Sequence, residues 1–310
     1  MDGPVTRRET AMKLTQFTKG RCLIVQHRLA PQNAFPAQHL DVLIAYLSLL
    51  YPPPGAYHLP VPASHIVLAG DSSGTQLVVS LIQIILSTQK RQASSHPILR
   101  FQGRMVELPM PAGFVMQSPS FDHMGNCLPT YHTNEAYDIF PNTWPCYEPN
   151  FPADEAWPTD PPRGNLYCEL NMLGHPLVSP IATKSWKGAP PMYIAIGSAE
   201  RNLDAARVVA QTAAKEGVVV LWDEYELMPH NWPMLCKSYP QASKCYETWA
   251  GMCSKLGQGI VMKTTGTLTS WGDLKITTVD VSQLTPLTRE EVERLVESKL
   301  DGGHVLKSTL

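Results

Sequence analysis

One short segment of the sequence has the residue types and the spacing of a serine nucleophile. Residues 70–74 read Gly-Asp-Ser-Ser-Gly, which fits the pattern Gly-x-Ser-x-Gly. The apolar run His65–Ala69 precedes it, and the longer apolar run Leu77–Leu86 follows it without strand periodicity. These runs predict a buried strand and a buried helix, the context in which a sharp turn exposes a serine; a tight turn without a catalytic role is the alternative. We predict Ser72 as the nucleophile and the Ser73 backbone N–H as an oxyanion donor.

A nucleophilic serine needs a histidine as general base and a carboxylate that orients this histidine. In one class of serine enzymes the acid and then the histidine follow the serine along the chain. Of the ten histidines, His230 has the matching position, just after the last predicted strand. The acid should follow the strand before that one, where Glu200 and Asp204 lie one helical turn apart. The prediction is a triad of Ser72, Glu200 and His230, with Asp204 as the alternative acid or as a favourable charge at the start of its helix.

The segments around these residues alternate between strand-like and helix-like patterns. Strands separated by helices of this length predict an α/β protein, in which a mostly parallel sheet carries helices on both faces. The predicted strands are Cys22–Val25, His65–Ala69, Ala112–Met116, Met192–Ile196 and a strand that begins with Val218–Leu221. The predicted helices are Ala37–Leu50, Leu77–Leu86, Asn202–Glu216 and Gln241–Met252.

Residues 119–187 interrupt this alternation with many prolines and aromatic residues and no clean period. In a parallel sheet such an insertion usually lies over the strand ends, where ligands bind, so we predict a lid. Its aromatic residues Tyr131, Trp144, Tyr147 and Trp157 would suit a bulky apolar substrate. Aromatic residues at these positions could equally pack the lid onto the body of the domain.

The composition changes after residue 256 to threonine, glycine, lysine and aspartate. Residues 288–291 (Thr-Arg-Glu-Glu) form a capping box, and a narrow apolar stripe with Val292 and Val296 follows it. We therefore predict a main domain over residues 1–256 and a C-terminal extension over residues 257–310 that contains a terminal helix.

Composition and charge exclude several other classes of protein. Of the 310 residues, 44% are hydrophobic and 17% are charged, which is ordinary for a folded protein. The net charge of −2 gives no electrostatic reason to expect nucleic acid or an anionic membrane as a partner. The seven cysteines show no Cys-x-x-Cys spacing, so buried free thiols are expected. The polar start and the short apolar runs predict a cytoplasmic protein without a membrane span. No metal or organic cofactor is implied, because no ligand cluster or phosphate loop is visible.

Several motifs together occur in the order that one known family shows. They are residues 27–31 (His-Arg-Leu-Ala-Pro), residues 35–37 (Phe-Pro-Ala), Asp41, residues 70–74 and residues 228–230 (Met-Pro-His). Over about residues 20–255 the chain resembles the hormone-sensitive-lipase-like group of α/β hydrolases (fold-3), and fungal members in particular. The resemblance implies an α/β-hydrolase fold, Glu200 as the triad acid, and a serine esterase for small or medium acyl esters. A small-molecule ester of a fungal secondary metabolite is the substrate class that it suggests.

One motif of that family is absent from the sequence. The family carries His-Gly-Gly-Gly upstream of the first of these motifs, and backbone N–H groups of that run form most of its oxyanion hole. This chain has no such run, and its only adjacent glycines are Gly302-Gly303. By the resemblance Met1 falls just after the motif, so the first strands and the usual N-terminal cap helices are expected to be absent too. Loss of a single oxyanion donor can cost about a hundredfold to a thousandfold in turnover.

Three interpretations follow from the sequence. The first is an active esterase, which the complete and correctly ordered triad favours. The second is a catalytically impaired ligand-binding protein, as in the plant gibberellin receptor of the same family, which kept the pocket and lost the triad histidine; here His230 is present. The third is a truncated gene model of an ordinary esterase.

Overall fold

A six-stranded sheet organises the structure, which is a computed structural model and describes residues 4–124, 128–140, 145–148, 150–160 and 163–301. The strands are β1 (Val67–Asp71), β2 (Ile98–Phe101), β3 (Arg104–Glu107), β4 (Gly113–Gln117), β5 (Met192–Gly197), β6 (Val220–Tyr225), β7 (Thr265–Thr269) and β8 (Ile276–Val279). The helices are α1 (Pro4–Thr18), α2 (Ala37–Leu50), α3 (Ser73–Gln92), α4 (Pro129–Thr133), α5 (Leu203–Lys215), α6 (Trp232–Leu235), α7 (Pro240–Gly257) and α8 (Arg289–Asp301). None of these helices is long and apolar enough to cross a membrane.

The strand order is β1-β4-β5-β6-β7-β8, and neighbouring strands are parallel except for the antiparallel pair β7 and β8. Alternate side chains of β4 pack on opposite faces of this sheet. Phe114 and Met116 lie in a core cluster with residues of α3 and α5, whereas Val115 lies in a second cluster with residues of α1 and α7. Burial on both faces explains why β4 and β5 read as continuous apolar runs. Strand β1 was predicted to be buried and is only half-buried, because one of its edges has no partner strand within the described ranges. The predicted α/β class, a mostly parallel sheet with helices on both faces, is confirmed.

Most predicted elements are present with small shifts of their ends. Helix α2 has the predicted bounds, and β1 starts later than predicted because Ala63–His65 form a 3-10 turn. The prediction of a strand over Cys22–Val25 is wrong: these residues have no regular secondary structure, and Leu23 is 56% exposed. An apolar run becomes a strand only where it lies against a neighbouring strand edge and exchanges backbone hydrogen bonds with it, and periodicity does not show whether the run reaches such an edge. The β2–β3 hairpin was not predicted.

The insertion, residues 119–187, contains only short helical turns in its described part. These are α4 and the 3-10 turns Pro145–Tyr147, Leu170–Met172 and Pro180–Ala182. This agrees with its proline content, because proline removes a backbone donor and interrupts regular hydrogen bonding.

The C-terminal residues extend the sheet and the core. Strand β7 pairs in parallel with β6, and β8 then pairs with β7. Helix α8 begins with the reciprocal bonds of a capping box: the Glu291 carboxylate accepts from the Thr288 N–H at 2.7 Å, and the Thr288 hydroxyl accepts from the Glu291 N–H at 3.2 Å. Val292 and Val296 are buried in the main core cluster. Gly302-Gly303 lie outside the described residues.

The described cysteines are free thiols, and they differ in exposure. Cys168 and Cys245 are buried, Cys22 is exposed, and the others are half-buried. Cys127 lies outside the described residues. The expectation of buried thiols is therefore correct for two of the cysteines and wrong for Cys22, which lies in the segment that was predicted to be a buried strand.

His39 of α2 is a buried imidazole that should couple the stability of the fold to pH. It is 4% exposed, and its Nε2 lies 2.8 Å from the carbonyl oxygen of Leu177. Burial lowers the pKa of His39 from 6.5 to about 4. In that interval the unfolded chain binds the proton and the folded chain does not, so the free energy of unfolding should decrease as the pH falls. The part due to His39 should reach about 2 kcal/mol at about pH 5.

Urea unfolding at pH 7 and pH 5 measures this effect. The difference in the free energy of unfolding between the two pH values should shrink in His39→Gln, because the variant has no imidazole to protonate. His65→Gln, at an exposed histidine, is the control and should keep the full difference. An unchanged difference in the His39 variant would show that another group causes the acid sensitivity.

Candidate active site

Ser72 lies on a sharp turn between β1 and α3, as the Gly-x-Ser-x-Gly pattern predicts. Its φ of 50° and ψ of −127° are unusual for a residue with a side chain, and Ser73 is the first residue of α3. A Cβ added at Gly70 would lie 2.8 Å from the Gly74 backbone, so the close approach of the two segments requires glycine at position 70. At Gly74 an added Cβ would meet nothing within 4 Å. Packing therefore demands only the first of the two flanking glycines.

Gly70→Ala is expected to reduce the free energy of unfolding by about 2 kcal/mol or more, because the new methyl group would collide with backbone atoms. Gly74→Ala is the matched control on the other side of the serine, and we expect it to change the free energy of unfolding by less than about 0.5 kcal/mol. Urea unfolding of both variants provides the comparison. Equal losses would show that close approach at Gly70 is not what distinguishes the two positions.

Ser72, His230 and Glu200 form one continuous row of hydrogen bonds. The Nε2 of His230 lies 2.7 Å from the Ser72 Oγ, and its Nδ1 lies 2.9 Å from the Glu200 Oε2. The residues His230 and Glu200 are 1% and 0% exposed. The three residues follow the ends of β1, β6 and β5, which a parallel sheet brings to one edge. In this order the imidazole can take the serine proton while the carboxylate holds its other nitrogen protonated.

Glu200, and not Asp204, is the carboxylate that contacts His230. Its Oε1 accepts hydrogen bonds from the Gly197 N–H and from a serine hydroxyl, each at 2.7 Å. Burial raises the pKa of Glu200, and the hydrogen bond from His230 opposes that rise. Asp204 instead accepts a hydrogen bond from the Thr130 backbone N–H at 3.0 Å. It lies in the first turn of α5, where its charge suits the helix dipole.

The insertion is hydrogen-bonded to the loops that carry Glu200 and His230. The two carboxylate oxygens of Asp138 accept from the backbone N–H of His230 at 2.8 Å and from that of Arg201 at 2.7 Å. The side-chain amide of Asn134 donates to the Glu200 carbonyl oxygen at 2.9 Å. Sequence analysis missed Asp138, because an acidic residue in an irregular segment has no recognisable pattern.

The aromatic residues of the insertion pack mainly against other protein groups. Tyr147 and Trp157 meet edge to face with ring centroids 5.8 Å apart, and the Arg201 guanidinium lies 3.9 Å above the Tyr131 ring. Tyr131 and Tyr147 also line the cleft beside Ser72, whereas Trp144 lies outside the described residues. Of the two roles considered for these residues, packing is the one with defined contacts.

A cleft of about 1940 Å³ opens at Ser72 and continues along β1 towards α1 and α2. Ser73, Phe140 and His230 are among the residues that line it, and the Phe140 ring lies 4.3 Å from the imidazole of His230. Because Ser73 begins α3, its N–H has no partner within the helix and is available to an oxyanion. Within the described ranges β1 pairs only with β4, so its other edge borders the cleft. Among the residues that the structure describes, no group of three His, Cys, Asp or Glu side chains could hold a metal ion.

The chain is similar to several known proteins. A family model with the description "alpha/beta hydrolase fold" matches residues 1–234. An acetyl-hydrolase of Streptomyces hygroscopicus is 28% identical over 262 residues, which cover 84% of this chain and 74% of that protein. A hormone-sensitive lipase from a metagenome library is 26% identical with a TM-score of 0.60, covering 82% of this chain and 73% of that one. The hormone-sensitive-lipase homologue EstE7, also from a metagenome library, is 25% identical with a TM-score of 0.60, covering 83% and 74%.

The chain therefore belongs to the α/β-hydrolase family, whose model matches most of its length. The similar solved structures also include proteins that are described as esterases. Members of the hormone-sensitive-lipase group are among them, which confirms the resemblance drawn from the sequence motifs.

Proposed function

We propose that the chain is a serine carboxylic-ester hydrolase that cleaves small or medium acyl esters. The observation that carries this proposal is the row of Ser72, His230 and Glu200, with hydrogen-bond distances of 2.7 and 2.9 Å in a buried setting. The acetyl-hydrolase relative supports an acetyl ester as the first substrate to try.

In the proposed reaction the Ser72 Oγ attacks the ester carbonyl carbon while its proton passes to the Nε2 of His230. The Glu200 carboxylate stabilises the imidazolium, and the Ser73 N–H donates a hydrogen bond to the tetrahedral oxyanion. The imidazolium then protonates the leaving alkoxide oxygen as the carbon–oxygen bond breaks, which leaves an acyl-serine. A water molecule, deprotonated by His230, attacks this acyl group and releases the carboxylic acid and free Ser72.

The cleft supports an alcohol part of substantial size. The cleft measures about 1940 Å³ in all and continues from Ser72 along the edge of β1 opposite β4, and Phe140 and Tyr131 are among the residues that line it together with Ser72 and His230. An ester of a secondary metabolite would use that space, and we extend the proposal to this substrate class on the strength of the family resemblance.

Hydrolysis of p-nitrophenyl acetate by the purified chain, with fluorophosphonate labelling of the same sample, tests the proposed function. Turnover above the buffer rate and labelling at Ser72, located by mass spectrometry of the digested protein, are the expected results. A chain that is folded by circular dichroism, yet neither turns over the ester nor reacts with the probe, would contradict the proposal. That outcome would favour a ligand-binding protein that has kept the cleft.

A further inference from the structure

One serine outside the predicted triad contacts both the acid and the histidine loop. Ser118 directly follows β4 and is 0% exposed. Its hydroxyl donates to the Glu200 Oε1 at 2.7 Å and accepts from the Asn231 backbone N–H at 2.9 Å. The side-chain amide of Gln117 also donates a hydrogen bond to the Ser118 hydroxyl oxygen.

These three hydrogen bonds use the full capacity of the Ser118 hydroxyl, which has one proton and two lone pairs. Its orientation is therefore determined by its partners. The backbone of Ser118 is also held, because its N–H donates to the Ala195 carbonyl oxygen at 2.8 Å while its φ is 45°. The hydroxyl thus bridges the loop after β5, which carries Glu200, and the residue that follows His230.

We propose that Ser118 is a positioning residue for the pair of Glu200 and His230, an inference that rests on the proposed function. Its donated hydrogen bond holds one carboxylate oxygen so that the other faces the imidazole. Its accepted hydrogen bond holds Asn231, and with it the chain next to the imidazole. Without the hydroxyl, the buried carboxylate loses one of its donors and the Asn231 N–H loses its partner.

The loss also has an electrostatic consequence that can be measured. A donor to a carboxylate spreads its negative charge, so removal of the donor leaves more charge facing the imidazole of His230 and favours its protonated form. The ionisable groups near this pair in the described ranges include the Asp138 carboxylate of the insertion, which accepts from the His230 backbone N–H, and the Cys245 thiol of α7, whose pKa burial raises. A substitution at position 118 leaves both of these groups in place.

Ser118→Ala is expected to lower kcat for p-nitrophenyl acetate by roughly 10-fold to 100-fold, the range for one lost hydrogen bond to a charged group, with little change in KM. The acidic limb of the profile of kcat/KM against pH should move to higher pH, because His230, the general base, would be neutral over a narrower range of pH. A merely structural role would reduce the amount of folded enzyme without moving that limb. Ser179→Ala is the matched control, since Ser179 is also 0% exposed and its hydroxyl accepts from the His123 backbone N–H at 3.1 Å, not from a group of the Glu200–His230 pair.

Ser118→Gly keeps the test valid if the alanine variant does not fold, because glycine tolerates a φ of 45° and lacks the same hydroxyl. NMR titration of the His230 imidazole, assigned with His230→Gln, needs no ester and separates this inference from the proposed function. If the native chain turns over no ester, the proposed function fails and the titration alone decides the role of Ser118. A titration midpoint that rises in both position-118 variants supports the inference. An unchanged midpoint, or an acidic limb that Ser179→Ala moves equally, overturns it.

Discussion

Ser72→Ala is expected to lower kcat for p-nitrophenyl acetate by up to about a millionfold, towards the rate in buffer, and to abolish fluorophosphonate labelling. The Oγ of Ser72 is the atom that forms the acyl intermediate in the proposed reaction, and the substitution leaves no replacement for it. His230→Ala should cost nearly as much, because the serine keeps its proton when the nitrogen 2.7 Å away is removed. Steady-state kinetics of the single variants and of the double variant measure these losses.

The double variant tests whether Ser72 and His230 act as a unit. Residues that act as a unit show losses that do not add, so the double variant should be no slower than the slower single variant. Ser87→Ala serves as the control, since Ser87 is exposed towards the far end of the helix that Ser73 begins. Multiplicative losses in the double variant would contradict a reaction in which His230 acts through Ser72.

Glu200→Gln is expected to lower kcat by about ten thousandfold while the fold is retained. The amide has nearly the same shape, but it carries no negative charge to stabilise the imidazolium. Its N–H group can also face the Nδ1 of His230, which would favour the tautomer that cannot accept the serine proton. Kinetics with p-nitrophenyl acetate, together with circular dichroism of the variant, provide the measurement.

Asp204→Asn is the matched substitution, because Asp204 is the other acid that the sequence allows. Its carboxylate accepts from the Thr130 N–H at 3.0 Å, and it belongs to the start of α5. We therefore expect kcat close to that of the native chain and a small loss of stability from the weaker helix dipole interaction. A large loss of kcat in Asp204→Asn, with an active Glu200→Gln, would assign the role of acid to Asp204.

Features that depend only on residues close together in the chain were predicted correctly from the sequence by itself. The glycine-flanked serine between two apolar runs predicted the turn at Ser72, and periodicity predicted α2 with its bounds. The capping box predicted the start of α8 through two local hydrogen bonds. Steric and hydrogen-bonding preferences over a few residues determine turns, helix ends and buried strands. The amino-acid types at those positions therefore predict them. The family resemblance added Glu200 as the expected acid.

The tertiary structure alone decided which side chains meet. Ser72 and His230 are separated by 158 positions, and Ser118 and Glu200 by 82, so their contacts depend on strand order and register. The same register places Glu200, and not Asp204, against the imidazole, and it brings Asp138 of the irregular insertion to the histidine loop. Cys22–Val25 was predicted as a strand on its apolar residues, yet it pairs with no strand in the structure, although one edge of β1 has no partner strand within the described ranges. Contacts of this kind depend on the assembled sheet. A hydrogen bond needs a donor and an acceptor close together, and the local sequence around one of them does not show which distant residue supplies the other.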